Sequence, residues 1–213
     1  MSFFIRLLET TDEERRALER VPKVDRMIHK GLTREEYRDF LLDLYPIVWH
    51  FCPIMAAAAA RCGDDYRQVR LHLYANIDEE KGHEQWILDD LRAIGTSEAG
   101  VLGRTPGAPV QAFIGFNYYS PEHVHPATVI GMLYALEVVS SVYGGRVAHS
   151  IARSLDMKGP EGFTFLQSHA SMDVDHMAKL NQLIKGISEA KVQDAIINVT
   201  RVNFYLLKEF MSQ

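Results

Sequence analysis

Apolar positions recur at helical spacing along almost the whole chain, and no stretch shows the strict alternation of a half-buried strand between hairpin turns. Thr11-x-x-Glu14 and Thr33-x-x-Glu36 are capping-box patterns, each predicting a helix start. The second opens a long helix, from Thr33 to about Cys62. Pro46 and Pro53 lie inside it, and since each removes a backbone donor, kinks are expected there. A further helix is predicted from about Asp65 to Ile94, stopped by Gly95. Residues 96–110 are rich in Gly and Pro, including Thr105-Pro106-Gly107, and predict a loop. A short aromatic helix follows, from about Pro109 to Tyr119. Pro126 opens the next long helix, to about Asp156, because proline is favoured in a first helical turn. Another runs from about Pro160 to Lys185 and closes at Gly186. Ser188 is a candidate cap for a last helix carrying the stripe Ile196, Val199, Val202, Leu206 and Phe210. The alanine run Ala56 to Ala60 predicts a close contact between helices. The expected fold is all-α: one bundle of about six or seven helices, with residues 1–213 as a single domain.

Composition agrees with that picture. A chain of 213 residues can bury a core without disulfide staples, and 47% hydrophobic with 24% charged residues is ordinary globular usage. A net charge of −5 with no Lys/Arg-rich run argues against a nucleic-acid surface. The longest uninterrupted apolar stretch, Ile54 to Ala60, is too short to cross a bilayer, so no membrane span is expected. Cys52 and Cys62 fall on one predicted helix, about 15 Å apart and unable to bridge each other. The first residues, Met1 to Arg6, lack a basic segment before a long apolar run, and together with the unpaired cysteines this predicts a cytoplasmic protein.

The chemistry stands out against this background. His169, Asp173 and His176 are spaced H-x3-D-x2-H, and at about 100° per residue they return to one helix face. Such a stripe is costly to bury unless something satisfies it. Asp175 falls off it. In the stretch Glu79-Glu80-Lys81-Gly82-His83, either glutamate is at helical spacing from the histidine, and Glu-x-x-His is a spacing used by di-iron carboxylate bundles. Glu137 interrupts the apolar run Gly131 to Val139 and needs a partner or a metal. Glu80 (or Glu79), His83, Glu137, His169, Asp173 and His176 make a set of carboxylates and imidazoles from three predicted helices. With no thiolate, that set suits iron or manganese better than structural zinc, and open positions on iron would take dioxygen. The same residues would otherwise form an internal hydrogen-bond network. Gly144-Gly145 lies inside a predicted helix at a cost of about 1 kcal/mol each; the approach of a substrate or of a neighbouring helix would explain the pair. His50 is a possible further ligand or a core residue. Phe113, Phe116, Tyr118 and Tyr119 line a pocket or fill the core, and core is the expectation.

These residues carry a resemblance. The stretches G-L-T-R-E-E-Y-R-D-F-L, D-E-E-K-G-H-E-Q-W-I-L-D-D-L-R-A-I-G, H-P-A-T-V-I-G-M-L-Y-A-L-E and H-A-S-M-D-V-D-H make the chain similar to the heme-oxygenase-like helical superfamily. That superfamily includes the TenA/Thi-4 thiaminases, pyrroloquinoline quinone biosynthesis protein C and the heme-oxygenase-like diiron oxidases. The similarity covers about Gly31 to Lys185 and is greatest to the diiron branch. It implies metal-ligand roles for Glu80, His83, Glu137, His169, Asp173 and His176. It further implies a diiron centre, a non-heme oxygen-activating oxidoreductase, a small organic substrate in the bundle core, and a homodimer. Members of the branch often place a glutamate about two turns before the first histidine, where this chain has Asn76, or on an earlier core helix. Asp43, His50 or Glu80 are the candidates to replace it, and the sequence leaves one or two metals, iron or manganese, open. The alternatives are a metal-free or degenerate binding protein on the same bundle, or thiaminase-type hydrolysis.

Overall fold

The computed structural model describes residues 2–157, 159 and 161–213, with the side chains of 170–175 outside that description. Its regular structure is helical throughout the described residues. Three short helices come first: α1 (Phe3–Thr10), α2 (Asp12–Glu19) and α3 (Pro22–His29). The capping box expected at Thr11 does not form. Thr11 is buried, and its hydroxyl donates back to the Leu7 carbonyl at 2.8 Å, stitching the end of α1 rather than the start of α2. The box at Thr33 does form. The Thr33 hydroxyl accepts the Glu36 N–H at 3.2 Å, and the Glu36 carboxylate accepts the Thr33 N–H at 2.9 Å. It opens α4 (Arg34–Arg61), which runs through both Pro46 and Pro53 as one helix.

The helix predicted over 65–94 is broken. A 3-10 turn leads into α5 (Arg67–Glu80), Lys81 is extended, Gly82 is left-handed at φ 90°, and α6 (His83–Ala93) begins anew. A short helix, α7 (Glu98–Leu102), lies in the segment expected to be loop, followed by α8 (Ala108–His123). Pro126 opens a 3-10 turn leading into α9 (Val129–Val139). The chain then passes through a π-helical segment, Ser140–Gly144, into α10 (Gly145–Ser154). Last come α11 (Thr164–Lys185) and α12 (Ala190–Met211). Pro160, the expected opener of α11, lies outside the described residues. Glu189, not Ser188, is the N-cap position of α12. The larger number of segments reflects these interruptions and the short N-terminal helices.

Helix α9 is buried nearly all round, from Val129 to Val138, as befits a central helix. It packs most extensively on α12. A methyl on Gly131 would meet the Thr200 amide nitrogen at 2.9 Å and the Ile196 carbonyl at 3.0 Å, so the two backbones touch there. Between α8 and α12 a buried amide pair crosses the interface. Asn117 donates to Asn203 at 2.7 Å, Asn203 donates back at 3.1 Å, and each also donates to the carbonyl one turn earlier on its own helix. Helix α4 lies against α5, α6 and α8. By length and composition alone, Arg34–Arg61 and Pro126–Ser154 are apolar enough to cross a membrane, which counting uninterrupted apolar runs had not revealed. The central helix of a bundle has the same composition, and 67% of the Pro126–Ser154 window is buried by its neighbours, against 33% for Arg34–Arg61.

Candidate metal centre

The break at Gly82 builds the site. Glu80 ends α5 and His83 begins α6, so the Glu-x-x-His pair spans a junction rather than one helical face, contrary to the expectation from spacing. The left-handed Gly82 turns the chain so that the two side chains still meet, with His83 Nδ1 at 2.8 Å from Glu80 Oε2. From α11, His169 Nε2 lies 3.4 Å from that same oxygen. Glu80, His83 and His169 each offer a ligand atom, and those atoms all lie within 4.8 Å of one another. His176, two turns along α11, brings Nδ1 to 3.5 Å from Glu80 Oε1 and 3.3 Å from Glu137 Oε1. Its Nε2 lies 3.3 Å from Glu79 Oε2. Five of the six residues proposed from the sequence therefore converge. The sixth, Asp173, has its side chain outside the described residues. The two glutamates differ in place. Glu80 is buried at the centre, whereas Glu79 is partly exposed and also pairs with Lys179 at 2.6 Å.

The electrostatics are those of a concentrated anionic site. Burial alone would raise the Glu80 carboxyl, but hydrogen bonds with His169 and His83 outweigh it and hold the group down at about 2. His169 Nδ1 can only donate to the Phe165 carbonyl, 3.0 Å away. A neutral His169 therefore turns the Nε2 lone pair toward the Glu80 carboxylate, an arrangement that a proton or a metal cation would relieve. Three groups of oxygen and imidazole type, Glu80 and His83 buried and His169 half-buried, with no sulfur donor among them, fit a ferrous or manganous ion.

Of the residues proposed as substitutes, Glu80 lies in the cluster, and Asp43 and His50 do not join it. Asp43 is paired with Arg104 at 2.8 Å, and His50 holds the Tyr118 hydroxyl at 3.0 Å. Asn76 is buried, 3.4 Å from His72 one turn earlier on α5. Sequence reasoning missed Trp86, which stacks on His83 with centroids 3.9 Å apart. Its place one helical turn after His83 was the available signal.

Beside these side chains lies a cavity of about 180 Å³, with Glu80, Glu137 and His169 in its wall. The rest is almost wholly hydrocarbon, including Phe40, Ile47, Phe51, Leu136, Leu166 and Phe210. Leu18, Val24 and Met27 from the N-terminal helices close part of it. Periodicity could not have indicated this, because it gives a helix's buried face but not what that face covers. Gly144, of the unexplained glycine pair, lies in the wall with Ser140 and Tyr143 of the π segment. Phe113 is core, as expected, Phe116 and Tyr118 are half-buried, and Tyr119, against expectation, is exposed; neither cysteine lines the cavity among the described residues.

The fold recurs in solved structures of low sequence identity. A domain with a heme oxygenase-like fold from Shewanella denitrificans superimposes with a TM-score of 0.87 at 19% identity, covering 99% of this chain and 90% of that one. A TenA homologue from Pseudomonas syringae pv. tomato gives 0.82 at 14%, covering 98% and 90%. Heme oxygenase from Leptospira interrogans gives 0.75 at 19%, covering 100% and 99%. No curated protein matches the sequence. A family model described as iron-containing redox enzyme matches residues 38–202, a span that takes in most of the long helix α4, the whole cluster and more than half of α12. This chain belongs to that family of iron-containing redox enzymes, on a heme-oxygenase-like fold.

Proposed function

We propose that the protein is a non-heme, iron-dependent oxidoreductase that activates dioxygen against a small, largely apolar organic molecule held in the bundle core. The observation carrying this is the convergence of Glu80, His83 and His169 on one point in the wall of a hydrocarbon-lined cavity. Glu80, His83, Glu137, His169 and His176 would hold the metal, with Asp173 assigned from the sequence spacing. When bound, iron would supply the activation of dioxygen. The chain's own residues account for the rest. As a carboxylate, Glu80 would lend charge to a cation. The Phe165 carbonyl fixes the His169 tautomer so that Nε2 faces inward. The hydrocarbon wall desolvates an apolar substrate and keeps bulk water away from the reacting end. No Lys or Arg lines the cavity among the described residues, so nothing there balances an anionic substrate apart from the metal.

The reading is tested by anaerobic ferrous loading, desalting and metal analysis. Wild type should retain iron, and His169→Ala and His176→Ala should lose most of it while remaining helical. Retention by neither wild type nor variants, or equal retention by all, would refute it. The runner-up is a metal-free binding protein in which protonated imidazoles bridge the carboxylates; the direct His–Glu pairs at 2.8 and 3.4 Å favour it, and it predicts no retained iron. Thiaminase-type hydrolysis has less support. Burial, with Glu80 and Glu84 nearby, pushes the Cys52 thiol up to about 11, the reverse of what an activated nucleophile needs.

A further inference from the structure

Helix α11, which carries both His169 and His176, begins without a local side-chain cap, since Phe163 occupies its N-cap position. Its cap comes from another helix. Asp90 of α6 is completely buried, and its two carboxylate oxygens accept the Thr164 N–H at 2.8 Å and the Phe165 N–H at 3.0 Å. Asp90 lies seven residues after His83, two turns along the same helix. The Phe165 residue that donates to Asp90 through its nitrogen accepts the His169 Nδ1–H through its oxygen, one turn on, at 3.0 Å. An unbroken sequence of bonds therefore runs from Asp90 through the Phe165 residue to the His169 ring, and ends with His169 Nε2 facing Glu80.

We propose that Asp90 is a positioning residue for the metal centre: it anchors the first turn of α11 and so fixes the tautomer and aim of His169 without touching a metal itself. The proposal rests on the reading of the cluster as a metal site. It goes further in assigning a role to a residue outside the cluster. A second tether at the same helix end supplies the control. The Tyr37 hydroxyl donates to the Gly162 carbonyl at 2.7 Å, also fully buried, but among the described residues it makes no hydrogen bond to the Phe165 peptide.

Two readouts test it, each on the intact chain. On metal-free protein, long-range proton–nitrogen correlation of the imidazoles should show His169 protonated at Nδ1 in wild type and in Tyr37→Phe. In Asp90→Ala it should be mixed or exchanging between tautomers. Titration with cobalt(II), followed by its ligand-field absorption, should then give about 10- to 100-fold weaker binding for Asp90→Ala, as for loss of a group that orients a ligand. Tyr37→Phe should stay within about twofold of wild type even where its melting temperature drops as far. Asp90→Asn, which keeps one acceptor, should fall between, and it decides the question where Asp90→Ala does not fold. A wild-type tautomer and affinity in the Asp90 variants would overturn the proposal. So would an equal loss in Tyr37→Phe, because the effect would then be stability alone. Absence of cobalt binding by wild type would instead count against the metal reading, and the tautomer measurement would still decide the role of Asp90.

Discussion

The imidazoles of the cluster have ring nitrogens committed by what lies around them, both of them on His169 and His176 and Nδ1 on His83. Outside the cluster His125 shows this most simply. Its Nδ1 accepts the Ala127 N–H at 3.2 Å and so caps the turn that leads into α9. Burial lowers its pKa, with Glu189 pulling weakly the other way. A folded-state pKa below the unfolded value of about 6.5 means the folded state prefers the neutral ring. Its contribution to stability is complete above that value and is lost as pH falls toward the folded one. His125→Asn keeps a capping acceptor that does not titrate, so thermal melts taken between about pH 8 and pH 5 should fall less steeply on the acid side than wild type. At this scale the sequence was informative where spacing alone decides. The H-x3-D-x2-H stripe set His169 and His176 on one face of α11, and both reach Glu80. It was uninformative for Asp90, because an acidic residue in a run of Asp89, Asp90 and Arg92 looks solvated until the end of another helix is brought onto it.

Helix starts and stops were legible where a local chemical signal marks them, as at Thr33, and misread where a competing local bond takes the same side chain, as at Thr11. The break at Lys81-Gly82 was hidden because helical period persists on both sides, and a two-residue interruption barely shifts it. That break has a measurable signature. A side chain at Gly82 would meet nothing within 4 Å, so any penalty comes from the backbone, held at φ 90°. Gly82→Ala should therefore destabilise by roughly 1–3 kcal/mol in chemical denaturation, and Gly82→Asn by less, since asparagine tolerates the left-handed region. Equal stability of all three would mean that the α5–α6 junction is not held as described.

For the molecule as a whole, an all-α bundle followed from period alone, but the pairing of faces did not. The amide pair Asn117–Asn203 illustrates this. In sequence each is one polar residue among several on its helix, and only docking of α8 on α12 gives each the other's donor and acceptor. Asn117→Leu should cost about 1–3 kcal/mol by leaving the buried Asn203 amide short of a partner, and adding Asn203→Leu should cost much less than a second such step. A double-mutant cycle in urea measures the difference. The cavity was likewise hidden, because its wall draws on helices from both ends of the chain, Leu18 and Met211 among them. The π turn in that wall separates two parts of one helix. At Ser140–Gly144 it amounts to one extra residue threaded into a helix that is otherwise continuous from Val129 to Ser154. It acts as a phase slip: the angular position of Glu137 is set from one side and that of α10 from the other. The cavity can thus be reshaped beyond the slip without turning the carboxylate away from the histidines, whereas deleting a single residue there would lock the two halves together again.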